Sequence, residues 1–153
     1  MIDVEFALDP VEFYQIGLRI ILSGPTPGPA ARRTAIGRAY YAPLNRVDAV
    51  LAQWGVPFGR GPQKHGLAVR YLHATNDPDL KAASADLDEL KALRNRADYD
   101  MNDVGVENVA QARRALEYAK ELMDYLQVVE NDPARRAASE GHIKLYRRKT
   151  NTP

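Results

Sequence analysis

Apolar residues recur at three- and four-residue steps through most of this chain, and that spacing constrains its fold more than any other feature. Between about Ala30 and Trp54 the series is Ile36, Tyr40, Leu44, Val47, Leu51 and Trp54. Between about Val106 and Glu130 it is Val109, Ala112, Leu116, Ala119, Met123 and Leu126. Such a series lines one face of a helix with 3.6 residues per turn. No segment shows the two-residue alternation of a half-buried strand, and no repeat of 20–50 residues is visible. The expectation is an all-α fold, a mostly up-and-down bundle of four to five helices. A length of 153 residues suits one domain.

Capping residues and prolines set the expected boundaries. Asp9-Pro10-Val11-Glu12 is a helix start, with Asp9 as cap, Pro10 at the first position and Glu12 able to reach back. Phe13, Ile16, Gly17 and Ile20 are its expected inner face, and Ser23-Gly24 its stop. The second helix contains Pro43, where a kink is expected. Gly55 ends it, and the Gly- and Pro-rich stretch 55–62 reads as a loop. A third helix follows over about Gln63–Ala74, and Asn76-Asp77-Pro78 opens a fourth. In the fourth, the spacing of Leu80, Ala83, Leu87, Leu90 and Ala97 places Arg94 in the apolar seam. A charge in a seam needs a partner or open water, because burying it alone is costly. Asp132-Pro133 ends the fifth helix. The chain therefore divides into a bundle over residues 1–132 and a basic C-terminal extension over 133–153, partly frayed from Tyr146 onward.

Composition excludes several chemistries. There is no Cys, hence no disulfide, thiolate metal site or Cys nucleophile. His65, His73 and His142 lack metal-ligand spacing, so no metal or other cofactor is expected. There is no phosphate loop and no Gly-x-Ser-x-Gly elbow. The run Ile16–Leu22 contains Gly17 and Arg19 and is far shorter than the ~20 residues a membrane span needs. With no targeting segment visible, the expected location is cytoplasmic, away from membranes. The net charge of +1 conceals blocks. Residues 30–76 carry seven bases against one acid, 77–134 seven bases against fourteen acids, and 135–153 six bases against one acid. Either the blocks neutralise one another between packed helices, or they leave a basic working surface.

Two segments carry a resemblance. One is Gly37-Arg38-Ala39-Tyr40-Tyr41-Ala42, and the other is Leu93-Arg94-Asn95-Arg96-Ala97-Asp98-Tyr99-Asp100, with Lys64-His65-Gly66 between them. Their order resembles the HEPN superfamily (higher eukaryotes and prokaryotes nucleotide-binding), over roughly residues 10–130. The resemblance implies a helical bundle that dimerises. In active members an Arg, a polar residue and a following His form a metal-independent endoribonuclease site, with two copies meeting across the dimer cleft. Some members are toxins paired with a nucleotidyltransferase antitoxin, and others only bind RNA or proteins.

Carried over residue by residue, Arg94 matches the family Arg and Asn95 the polar residue after it, while Tyr99 occupies the place of the His. Arg94, Asn95 and Tyr99 are thus the candidate catalytic residues. Arg38, Tyr41, His65, Arg96 and Asp98 are candidate contacts to RNA or a nucleotide. Cleavage by 2′-OH attack uses groups that titrate near the working pH. A tyrosine, with a pKa near 10, is a proton donor and a poor base. His65 supplies an imidazole if the third helix faces the cleft. A guanidinium at Arg94 suits a phosphate. Plainer readings stand beside these: Arg94 paired with Asp98 one turn on, Tyr40 and Tyr41 as core aromatics, and solvated tail bases. Two functions from different classes are expected. One is a homodimer that engages RNA or a nucleotide, as an endoribonuclease or toxin–antitoxin component. The other is a non-catalytic interaction module that docks a partner such as a nucleotidyltransferase.

Overall fold

A computed structural model describes residues 9–22, 27–57, 59 and 61–152. Among these the chain is all-α, with no strand: α1 Pro10–Leu22, α2 Pro29–Gln53, α3 Gln63–His73, α4 Pro78–Tyr99, α5 Val109–Glu130 and α6 Pro133–Thr150. A short 3₁₀ turn, Val104–Glu107, joins α4 to α5. The expected stop of the first helix at Ser23-Gly24 and the acidic segment Met1–Leu8 lie outside the described residues.

Proline opens four of the helices, α1, α2, α4 and α6. Its fixed φ suits the first turn, where its missing N–H costs nothing. Asp9 accepts from Val11 N at 3.0 Å. Asp77 accepts from Asp79 N and Leu80 N at 3.0 and 3.2 Å. Asp132 accepts from Ala134 N and Arg135 N, both at 3.1 Å. These carboxylates satisfy amides that the helix leaves without partners. Gly55, at φ 72°, turns the chain out of α2 as expected.

The long helix α2 is central and packs against α1, α3, α4 and α5. All six residues of its expected face are buried, as is Pro43 inside the helix. Elsewhere the inner faces shift. In α1, Gly17 and Ile21 are buried, whereas Ile16 is 41 % exposed. A Cβ on Gly17 would lie 3.0 Å from Leu116 Cδ2 and 3.4 Å from the Ala35 carbonyl, so the glycine sets how closely α1 meets α2 and α5. In α4 the seam runs through Leu93 to Ala97, so Arg94 flanks it rather than standing in it. The fifth helix begins at Val109, not Val106. Val106 is buried in the 3₁₀ turn, and Asn108 caps α5 by accepting from Ala110 N at 2.8 Å.

The C-terminal segment also differs from expectation. It is a sixth helix, continuous to Thr150, not a frayed extension. Ile143 and Ser139 are buried, and Tyr146 meets Tyr71 edge-on with ring centres 6.1 Å apart. Arg135 clamps its start, bonding both carboxylate oxygens of Asp77 at 2.8 Å and Asp79 at 2.7 Å. The charge blocks thus partly neutralise one another across helices. Arg33 pairs with Glu107, Arg46 with Glu130, and Arg135 with Asp77 and Asp79.

Candidate functional site

The last two turns of α4 bring Arg94 against the middle of α2. Its side chain is 14 % exposed. Nη2 donates to Tyr41 Oη at 2.6 Å and to Tyr99 Oη at 3.1 Å, and Nη1 donates to Asn95 Oδ1 at 3.2 Å. Nε lies 2.8 Å from Asp98 Oδ2, an ion pair without the direction of a hydrogen bond. The guanidinium carbon stands 4.9, 5.3 and 5.9 Å from the ring centres of Tyr99, Tyr41 and Tyr40. Three aromatic faces and one carboxylate therefore surround a single cation. Burial disfavours its charge, but the hydroxyl oxygens of Tyr41 and Tyr99 and the Asp98 carboxylate outweigh that and hold it above its usual range.

Asp98 is pressed towards α2, since a Cβ on Gly37 would lie 3.7 Å from its Oδ1. The one-turn pair anticipated from the sequence is present. A pair of that kind contributes only about 0.2–0.5 kcal/mol on an exposed helix, too little to account for the tyrosines gathered around Arg94. Tyr99 is 71 % exposed, so its ring covers the guanidinium from the solvent side.

His65 belongs to the same neighbourhood. Tyr40, fully buried in α2, joins its Oη to His65 Nδ1 in a short hydrogen bond, with ring centres 5.6 Å apart. Burial pushes the Tyr40 phenol well above its usual range. Its O–H has no other acceptor among the described residues, so it donates to Nδ1, which assigns the neutral His65 proton to Nε2. Burial, then the positive charges of Arg94, Lys91 and Lys64, lower the His65 pKa. His65 of α3 and Arg94 of α4 thus both stand against the Tyr40 ring.

Two expected contacts lie elsewhere. Arg38 points to α1, its guanidinium 5.5 Å from the Phe13 ring centre, and makes no hydrogen bond or ion pair with the Arg94 cluster among the described residues. Arg96 turns away to Asp103, with Nε 2.5 Å from Oδ2, and fastens the loop after α4.

Arg33 was not singled out by the sequence. It is 8 % exposed. Nη1 donates to the carbonyls of Ala97, Asp100 and Arg96 at 2.9, 3.0 and 3.3 Å. Nη2 donates to the Asp103 carbonyl at 3.0 Å and to Glu107 Oε1 at 2.9 Å, and Nε to the same Oε1 at 3.0 Å. One side chain satisfies the C-terminal carbonyls of α4 and holds the turn that presents Tyr99. The only sequence signal was an Arg beside the apolar series of α2.

Among the described residues, no group of three or more His, Asp or Glu gathers as metal ligands, and no helix is long and apolar enough to cross a membrane. Comparison of the chain with protein-family models, with curated proteins and with solved structures finds no match.

Proposed function

We propose that this chain is a HEPN-like homodimeric domain that engages RNA, or the phosphate of a nucleotide, at Arg94. The observation that carries the reading is the set of acceptors on Nη2. Both are phenol oxygens, and one of them belongs to a largely exposed residue. A phosphate oxygen is a stronger, charged acceptor and can take the place of the Tyr99 hydroxyl. The Tyr99 ring would then be free to stack on a base. Asn95, on the exposed side of Arg94, is a further hydrogen-bonding group for the ligand. In a cleaving enzyme, Tyr99 is the proton donor and Arg94 stabilises the developing charge. A place in a toxin–antitoxin pair follows from the same reading.

The test is salt-dependent binding of single-stranded RNA, followed by anisotropy, together with cleavage in the presence of a chelator. Binding should weaken as salt rises. Binding and any chelator-resistant cleavage should be lost in Arg94→Ala. A folded Arg94→Ala protein with wild-type behaviour overturns the assignment.

A second reading rests on Tyr99, Met101 and Val104, which are 71, 62 and 73 % exposed beside the same site. Apolar surface of this kind suits a protein partner, such as a nucleotidyltransferase, docked on a non-catalytic module. Absence of both cleavage and salt-dependent RNA binding would favour it.

A further inference from the structure

We propose that His65 and Lys91 form a second phosphate subsite beside Arg94, so that the ligand is a strand carrying successive phosphates rather than a mononucleotide. This rests on the RNA reading of Arg94.

The geometry comes from three helices. Lys91 lies one turn before Arg94 on α4, on the same side of the helix. Its ammonium makes no ion pair or hydrogen bond among the described residues. Lys64, by contrast, is engaged by Asp48 at 2.6 Å. His65 comes from α3 and is anchored through Nδ1 to Tyr40 of α2. Its Nε2 has no partner among the described residues, and it is not among the fully buried polar atoms that lack one, so a ligand atom can reach it. Arg94 and His65 flank the Tyr40 ring, at 5.9 and 5.6 Å from its centre. Both groups therefore stand against one fully buried aromatic side chain, which ties their positions together.

The hydrogen bond from Tyr40 gives the subsite its polarity. With the Tyr40 hydroxyl donating to Nδ1, the neutral imidazole carries its proton on Nε2. On protonation Nε2 remains a donor and the ring gains charge. In both states His65 offers an N–H, never a lone pair, to a ligand there. That suits an anion and repels a metal ion. The charged groups facing it are Lys64 on its own helix and Lys91 and Arg94 on α4; Asp88 on α4 acts on its partner Tyr40. Burial, and then these three cations, disfavour the protonated imidazole. A bound phosphate counters them and draws a proton onto it. The bound state then holds this proton more tightly than the free protein, so strand affinity should rise as pH falls from neutral into the acid range.

The experiment measures binding of a short single-stranded RNA oligonucleotide and of AMP to the wild type, Arg94→Ala, Lys91→Gln and His65→Gln, each checked for native helix content. Lys91 is only partly buried and makes no ion pair among the described residues, so its variant tests the subsite even if His65→Gln disturbs α3. Lys91→Gln and His65→Gln should each weaken the oligonucleotide by about three- to tenfold, with AMP binding unchanged. Lys91→Gln should lower the salt slope by about one. His65→Gln should remove the gain in affinity at low pH. Loss of binding in Arg94→Ala with both other variants at wild-type affinity overturns the subsite and leaves the RNA reading intact. Equal weakening of AMP and oligonucleotide also overturns it, since the groups then share one phosphate. Absence of RNA binding in the wild type, or no effect of Arg94→Ala, overturns the RNA reading and the subsite with it.

Discussion

Replacing Arg33 by alanine removes the side chain that caps the C-terminal carbonyls of α4. Its three nitrogens serve four backbone carbonyls and the Glu107 carboxylate, which is itself about three-quarters buried. An acceptor left buried without a donor costs about 1–3 kcal/mol, and a buried carboxylate stripped of its cation about 3–5 kcal/mol. Water can reach some of these groups once the side chain is gone, so the costs do not add in full. The expected loss is about 3–5 kcal/mol, a fall in Tm of roughly 10 °C for a chain of this size. Arg33→Lys keeps the charge but not the planar fork and should lose about half as much. Arg32→Ala is the control: its Nη1 makes one hydrogen bond, to the Glu107 carbonyl at 2.5 Å, and its loss should cost about 1 kcal/mol or less. Urea denaturation followed by circular dichroism measures all three. An Arg33→Ala protein within about 1 kcal/mol of the wild type would refute the cap as a source of stability.

Three further expectations follow from separate parts of the molecule. Asp86 has a buried Oδ2 with no hydrogen-bond partner, and burial, with Glu121 opposite, raises its pKa to about 6 from 3.8. The folded protein then binds this proton more tightly than the unfolded chain, so its ionisation costs stability above pH 6. That cost disappears as pH falls towards 4. Asp86→Ala should be more stable than the wild type by about 1–2 kcal/mol at pH 7.5, after allowance for solvent screening, with the gap closing near pH 4 in paired urea titrations. Gly17→Ala drives a methyl group against Leu116 and the Ala35 carbonyl. It should lose about 1–3 kcal/mol despite its better helix propensity, read by thermal melting. Gly141→Ala in α6 meets nothing within 4 Å and should gain about 0.5–1 kcal/mol in the same assay.

Local rules are what made the fold legible. Asp9-Pro10, Asp77-Pro78 and Asp132-Pro133 each place a cap and a first-turn proline within two residues, and the helices begin there. The apolar face of α2 is long enough that its register has one solution. The sixth helix was obscured because its inner stripe is thin: Ser139, Ile143 and Tyr146 give little apolar signal among six basic residues. Arg94 was legible as an odd charge, read as standing in the seam that it flanks, but its surroundings were not. Tyr41 lies 53 residues away in sequence, and the carbonyls held by Arg33 lie 63 to 70 residues away. His65 joins the site only through Tyr40, a contact that depends on how α3 packs. Arg38 shares the second helix with Tyr40 and Tyr41 yet faces α1. The motif that names these residues does not say which side of α2 each neighbouring helix will cover.

The most direct test is an NMR titration of the labelled protein with single-stranded RNA, following the Arg94 side-chain Nε–H and the ring signals of Tyr41, Tyr99 and His65. The account predicts that the largest shifts centre on these groups and on Lys91, and that they fade as salt is added. Shifts confined to the basic face of α6, at Lys144, Arg148 and Lys149, with the Arg94 signals unmoved, would contradict it.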